Sequence, residues 1–237
     1  MRYARGYRAR KEDKLPPSLS KRVQFGIRIG LSASHARMLA RLETPERIQD
    51  FVTALPTNFE TQGDTCLSVA AALRQNRAHC IEGAFVAACA LWMNGRAPLL
   101  MDFQADGDDD HVVALFREHG SWGAISKSNH IWLRWRDPIY RTLRELALSY
   151  FHEYVVGPKK TLRRYSRSFD LRQVEPRLWV SNGDDCWEIA ETIDEIRHYA
   201  LITQAQARRL RRRDAIELKA GKLLEFAAPD AAAALRY

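Results

Sequence analysis

The hydrophobic pattern predicts a helical first half of the chain. The segment 79–95 is apolar almost all round, which is typical of a helix buried at the centre of a fold, and Gly95 ends it. The segment 44–52 begins with Thr-Pro and an early acid, so it predicts a short capped helix. The Ala-rich segment 64–74 predicts another helix, with Cys66 in its first turn.

Strand character follows the central helix. Three segments, at 97–103, 111–116 and 122–126, have the composition and length of strands. A tight turn at 118–121 joins the last two, and an acidic loop at 106–110 precedes the second. This order predicts a helix packed on an antiparallel sheet.

The remainder of the chain predicts further short elements. Asp137, followed by proline, predicts the cap of a long helix that runs to about residue 154 and ends before 157–160. Beyond it we expect a short strand at 177–180, an acid-capped segment from Asp184 and a helix around 203–213.

These elements define the expected organisation. The fold class is α+β, with helical N- and C-terminal extensions around a helix-on-sheet core. Residues 1–20 are expected to be a basic disordered tail, because two prolines near its end prevent a continuing helix. The core is placed at 21–156, and 157–237 is interpreted as a C-terminal extension of the same domain.

The charge is unevenly distributed. The chain has 237 residues, is 46% apolar and carries a net charge of +8. Residues 1–14 contribute +4 and the arginine cluster 208–213 contributes +5, so the other residues sum to −1. A solvated helix face and a tail explain both clusters, and nucleic acid is not the expected partner.

Composition excludes several classes of protein. The longest apolar stretch, 84–93, is about half the ~20 residues of a membrane span, and no apolar segment follows the basic N-terminus. We therefore expect a cytoplasmic protein without a membrane partner. The four cysteines show no C-x-x-C spacing, and there is no dinucleotide fingerprint or P-loop, so no cofactor and no metal are expected.

Cys80 is the candidate nucleophile. It stands at the start of the buried helix, where unpaired N–H groups and the helix dipole favour a thiolate. A working thiol also needs an imidazole and a group that orients the ring. His111 begins the second strand and supplies the imidazole, and the exit of the third strand, Ser126 to Asn129, supplies the orienting group.

Four motifs follow one another along the chain: the helix from Cys80 with Glu82, Gly95 to Leu100, Asp110 to Val113 and Trp122 to Ser126. Their order resembles the transglutaminase-like superfamily of papain-like thiol enzymes. The resemblance covers roughly residues 60–150, and the stretch 144–154 is similar to an uncharacterised bacterial branch. It implies a helix-start cysteine, a strand-start histidine and an aspartate on the next strand as catalytic triad.

The sequence departs from the family at the third position. Ser126, rather than an aspartate, stands four residues after Trp122, and Asn129 lies three further on. Asn129 is the first choice for orienting the ring, because an amide oxygen can accept from imidazole, and Ser126 is the second. Asp110 is expected to point to the opposite strand face.

Other reactive residues have structural interpretations. His79 is interpreted as a capping or surface residue, and the remaining cysteines as buried small residues. Glu82 and the acidic run 108–110 could hold a cation, but a first-turn acid and a solvated loop explain them.

The resulting hypothesis is a cysteine hydrolase (peptidase or amidase) or acyltransferase acting on a peptide or amide substrate. Cys80 attacks the carbonyl, His111 takes its proton and returns it to the leaving amine, and Asn129 holds the ring. The alternatives are a non-catalytic interaction module on the same fold and a nucleic-acid binder that uses the arginine cluster. The acceptor and the oligomeric state stay open.

Overall fold

Ten α-helices and nine β-strands run through residues 18–227, the part of the chain that this computed structural model describes. The helices are α1 (Leu19–Arg28), α2 (Ala33–Ala40), α3 (Pro45–Ala54), α4 (Val69–Gln75), α5 (Cys80–Met93), α6 (Leu143–Tyr150), α7 (Arg177–Val180), α8 (Trp187–Glu195), α9 (Gln204–Ala207) and α10 (Ala215–Ala220). The strands are β1 (Leu99–Ala105), β2 (His111–Glu118), β3 (Ser121–Ile125), β4 (Arg136–Tyr140), β5 (Val155–Val156), β6 (Lys159–Lys160), β7 (Leu162–Ser166), β8 (Phe169–Asp170) and β9 (His198–Ala200). The predicted α+β class is confirmed.

The main sheet is antiparallel and has the order β4-β3-β2-β1-β7-β9, with β8 also paired to β1. The predicted turn between β2 and β3 is a tight hairpin. His119 and Gly120 adopt positive φ values of 49° and 83°, the conformation that a twisted two-residue turn requires. β5 and β6 form a separate hairpin.

The central helix α5 is confirmed as the buried helix of the fold. All of its residues except Cys80 are buried, and it packs on β2 and against α3 and α4. The sheet separates two apolar cores. Val112 and Ala114 belong to the core around α5, whereas Val113 and Leu115 belong to the core around α6, as the alternation of side chains along β2 requires.

The helix predicted from Asp137 to about residue 154 is wrong in its first part. Residues 136–140 form β4, the edge strand of the sheet, which pairs with β3 only. An edge strand tolerates proline because one side of it needs no hydrogen bonds to a neighbouring strand. Asp137 accepts a hydrogen bond from the Trp135 indole at 2.9 Å and caps no helix. Thr142 caps α6 instead, accepting from the Glu145 amide at 3.1 Å.

Three smaller predictions are also corrected. The segment 177–180 is a helical turn rather than a strand, because Trp179 is buried and stacks on Trp92. Cys66 precedes α4 and its cap, Ser68, instead of lying in the first turn. The helix expected over 203–213 is only α9, capped by Thr203.

The C-terminal segment contributes directly to the main sheet. β7 pairs with β1, and β9 pairs with β7, so two strands that the periodicity did not reveal lie beside the central hairpin. Residues 1–17 of the expected basic tail lie outside the described residues, and α1 already begins at Leu19. Among the described helices none is long and apolar enough to cross a membrane.

Candidate active site

Cys80 occupies the first position of α5, and its backbone follows the extended residue His79. Of the four cysteines it is the one that is partly exposed, whereas the other three are buried. Gly83, one turn further, allows the segment after β3 to pass close to the helix, because a Cβ at this position would overlap Lys127. The start of α5 is thus brought against the exit of β3.

Two imidazoles interact with the thiol. His79 Nδ1 lies 3.8 Å from Cys80 Sγ, and His111 is the second imidazole that lowers the pKa of this thiol. Burial alone would raise the pKa of the Cys80 thiol, but the hydrogen bonds and the charges of His111 and His79 outweigh burial and lower the pKa to about 6. A large part of the thiol is therefore thiolate at neutral pH.

His111 is oriented by Ser126. Its Nε2 lies 2.6 Å from Ser126 Oγ in a buried hydrogen bond. The backbone of Ser126 is fixed in turn by the Gln49 side chain, which accepts from its N–H at 2.9 Å and donates to its carbonyl oxygen at 3.0 Å. Ser126, the second choice from the sequence, is the residue that the structure brings to the imidazole.

Asn129 does not hold the ring, and this first choice is corrected. Its amide nitrogen donates to the Phe226 carbonyl oxygen at 3.0 Å, and its amide oxygen accepts from the Phe226 N–H at 2.9 Å. The reason is positional. β3 ends at Ile125, so Ser126 still lies beside the sheet, whereas the chain at 129–130 has turned toward residues 224–226.

His79 is the N-cap residue, as expected, but it is not a surface residue. Its side chain is only 12% exposed, and Nε2 donates to the Thr65 carbonyl oxygen at 2.9 Å. The same nitrogen lies 3.3 Å from Glu82 Oε1 and 3.5 Å from Glu60 Oε1. Burial would lower the pKa of His79, but the bond to Cys80 and the two carboxylates raise it to about 10.

Glu82 anchors this arrangement from within the core. Its side chain is fully buried, and its two oxygens accept hydrogen bonds from four groups. The donors are Asn58 Nδ2 at 3.1–3.2 Å, Thr65 Oγ1 at 2.8 Å and the amides of Leu67 and His79 at 2.9 Å each, and His79 Nε2 lies 3.3 Å away as an ion-pair partner. The capping-box spacing of His79 and Glu82 was visible in the sequence, but the burial of the carboxylate was not.

The other three thiols differ sharply from Cys80. Burial raises the pKa of Cys66 and of Cys89 above the ordinary value. Burial and the neighbouring Asp185 raise the pKa of Cys186 to about 12. These thiols stay protonated at neutral pH, in agreement with their interpretation as buried small residues.

The arginine cluster 208–213 is partly engaged within the chain. Arg211 forms ion pairs with Asp214 at 3.1 Å and with Glu217 at 3.0 Å. Arg213 donates to the Gly157 carbonyl oxygen at 3.2 Å. These two arginines hold the start of α10 and the turn at Gly157 together.

The chemistry of the site follows from the residues themselves. No protein-family model matches the chain, and no curated protein matches it in sequence. A partly exposed thiolate between two imidazoles at the start of a helix is a nucleophile with a proton carrier beside it. Such a group can attack an electrophilic carbonyl carbon.

Proposed function

We propose that the chain is a thiol enzyme of transglutaminase-like type, with a papain-like core, that cleaves or transfers an amide or acyl group through an acyl-enzyme on Cys80. The observation that carries the proposal is the position of the Cys80 thiol. It is partly exposed, at the start of α5, and interacts with His79 and His111, which lower its pKa to about 6.

The proposed reaction has two halves. The thiolate of Cys80 attacks the carbonyl carbon, and the N–H groups of the first turn of α5 face the developing oxyanion. His111 gives a proton to the leaving amine as the acyl-enzyme forms. Water or an acceptor amine then attacks the thioester, and His111 takes the proton from that nucleophile.

The two histidines have different roles in this mechanism. His79 is held by Thr65 and the carboxylates, and with a pKa of about 10 it stays protonated at neutral pH. Such a group is a poor proton carrier but an effective counter-charge for a thiolate. His111, held by the neutral Ser126 hydroxyl, is the residue that moves protons.

The first experiment compares cysteines. At pH 7, iodoacetamide should alkylate Cys80 well before the other three cysteines, and p-nitrophenyl acetate should release a burst of nitrophenol stoichiometric with protein. Cys80→Ser should lose both signals. Cys186→Ser is the matched control, because serine preserves a polar group at the start of α8, and it should retain both.

Two outcomes would contradict the proposal. Cys80 could stay unlabelled until the protein is denatured, which would make it an inert core thiol. Alternatively, Cys80 could be alkylated without an acylation burst, a result that favours the non-catalytic interaction module.

A further inference from the structure

Three carboxylates from separate parts of the chain meet at one place away from the thiol. Asp102 lies in β1, Asp110 directly precedes β2 and Asp194 lies near the end of α8. One carboxylate oxygen of each lies within 4.8 Å of an oxygen of the other two. No sequence pattern groups these three residues, because Asp194 is far from the other two along the chain.

Asp102 is the buried member of this aspartate cluster. Its residue is only 1% exposed, and Oδ2 accepts from His198 Nε2 at 2.9 Å. Its second oxygen, Oδ1, is buried and has no hydrogen-bond partner among residues 18–227. A buried carboxylate oxygen without a donor is costly, which indicates that a ligand is needed to complete it.

One imidazole contacts the cluster directly. His198 Nδ1 lies 2.7 Å from the Ile196 carbonyl oxygen while Nε2 faces Asp102, and these contacts raise the pKa of the ring although burial opposes this. Burial, Asp102 and Asp194 raise the pKa of Asp110 to about 6, although its bond from the Ala105 amide opposes this. Burial and Asp102 also raise the pKa of Asp194.

We propose that Asp102, Asp110 and Asp194 bind a divalent cation that prefers oxygen ligands, with Ca²⁺ as the best fit. Three carboxylates that converge in this way form a set of hard oxygen donors that suits a divalent cation. Ca²⁺ takes oxygen ligands in flexible geometry, whereas Mg²⁺ usually keeps several waters and takes only one or two carboxylates, so three carboxylates favour Ca²⁺.

The neighbouring groups support this choice. His198 remains bound to Oδ2 of Asp102 and orients that carboxylate from behind, as partners of metal ligands commonly do. Asp110 and Asp194 are surface residues whose carboxylates are only partly desolvated, so solvent can supply further ligands. Asp108, by contrast, is engaged with the Thr161 hydroxyl at 2.5 Å and is not part of the site.

The test is a titration of the full chain after treatment with EDTA. Addition of CaCl₂ should produce a calorimetric binding isotherm with one site and raise the thermal midpoint, and MgCl₂ should do so more weakly. Asp194→Asn should weaken Ca²⁺ binding at least tenfold. Asp106→Asn is the matched control, since this exposed aspartate lies outside the cluster, and it should bind like the wild type.

Asp194→Asn should change the melting temperature in opposite directions without and with the ion. Without a divalent ion, Asp194→Asn should melt at or above the wild-type temperature, because it removes repulsion. With saturating Ca²⁺ it should melt below the wild type. An unchanged wild-type midpoint and no calorimetric heat with Ca²⁺ would overturn the site, as would equal Ca²⁺ binding by Asp194→Asn and the wild type.

Discussion

His79 with Glu82 and His198 with Asp102 are both buried histidine–carboxylate pairs, separated by 3.3 Å and 2.9 Å. Around Glu82 the chain supplies donors for both oxygens, whereas in the aspartate cluster no donor from residues 18–227 reaches Oδ1 of Asp102. The two carboxylates are therefore equally buried, but they differ in whether each of their oxygens accepts a hydrogen bond. The fully hydrogen-bonded carboxylate of Glu82 stabilises the positive charge of His79. The carboxylate of Asp102, which lacks a donor at Oδ1, requires a bound cation.

The largest effect should come from breaking the pair of His79 and Glu82. Glu82→Ala leaves four hydrogen-bond donors without their acceptor, and we expect a loss of about 3–5 kcal/mol in the free energy of unfolding, measured by urea denaturation. Glu82→Gln keeps the shape and should lose less. Glu46→Ala, an exposed first-turn acid of α3, should change stability by less than ~0.5 kcal/mol. Equal stability of the Glu82→Ala and Glu46→Ala variants would refute this account.

The next effect concerns the counter-charge on the thiol. His79→Gln removes one of the two imidazoles that lower the pKa of Cys80, so this pKa should rise toward its ordinary value of 9.0. The rate of alkylation by iodoacetamide at pH 6.5 should fall on the order of tenfold, and the midpoint of its pH profile should move upward. His152→Gln, an exposed histidine, serves as the control. An unshifted profile in His79→Gln would exclude the counter-charge role.

Ser126→Ala tests the orientation of His111. The variant removes the hydrogen bond to Nε2, and we expect acylation of Cys80 to slow by about tenfold while the fold is retained. Asn129→Ala should leave the acylation rate unchanged but reduce stability by about 1–2 kcal/mol, because two bonds to Phe226 are lost. The reverse pattern of rates would restore Asn129 as the orienting residue.

The smallest effect is the pH dependence of the aspartate cluster. Asp110 has a pKa of about 6 in the folded protein against an ordinary value of 3.8, so the folded state binds its proton more tightly. In the ion-free protein this contribution favours folding below pH 4 and is lost as the pH rises through about 6. Asp110→Asn should therefore melt about 1–2 °C above the wild type at pH 7.5 without divalent ions, and the two should converge near pH 4. An equal difference in melting temperature between Asp110→Asn and the wild type at both pH values would contradict the link between the raised pKa of Asp110 and stability.

The local pattern was sufficient for the elements around the thiol. The all-apolar run after His79, the Thr-Pro start of α3 and the turn at 118–121 each determine their conformation through nearby residues, and all were predicted within a few positions. The strand β4 was missed because Asp-Pro at 137–138 equally suits a helix start and a sheet edge. The pairing of this segment with the edge of β3 decides in favour of a strand.

The amino-acid sequence by itself determined that Cys80 begins a buried helix, that His111 begins a strand of a neighbouring hairpin and that no other thiol combines these features. Tertiary structure decided which side chain reaches His111, how His79 is charged and where the three aspartates meet. Ser126 and Asn129 are only three positions apart, and β3 ends at Ile125, directly before Ser126. His198 and Asp102 are 96 residues apart, so their contact depends on strands β7 and β9 joining the sheet. Distances across a fold are set by packing, which local periodicity does not encode.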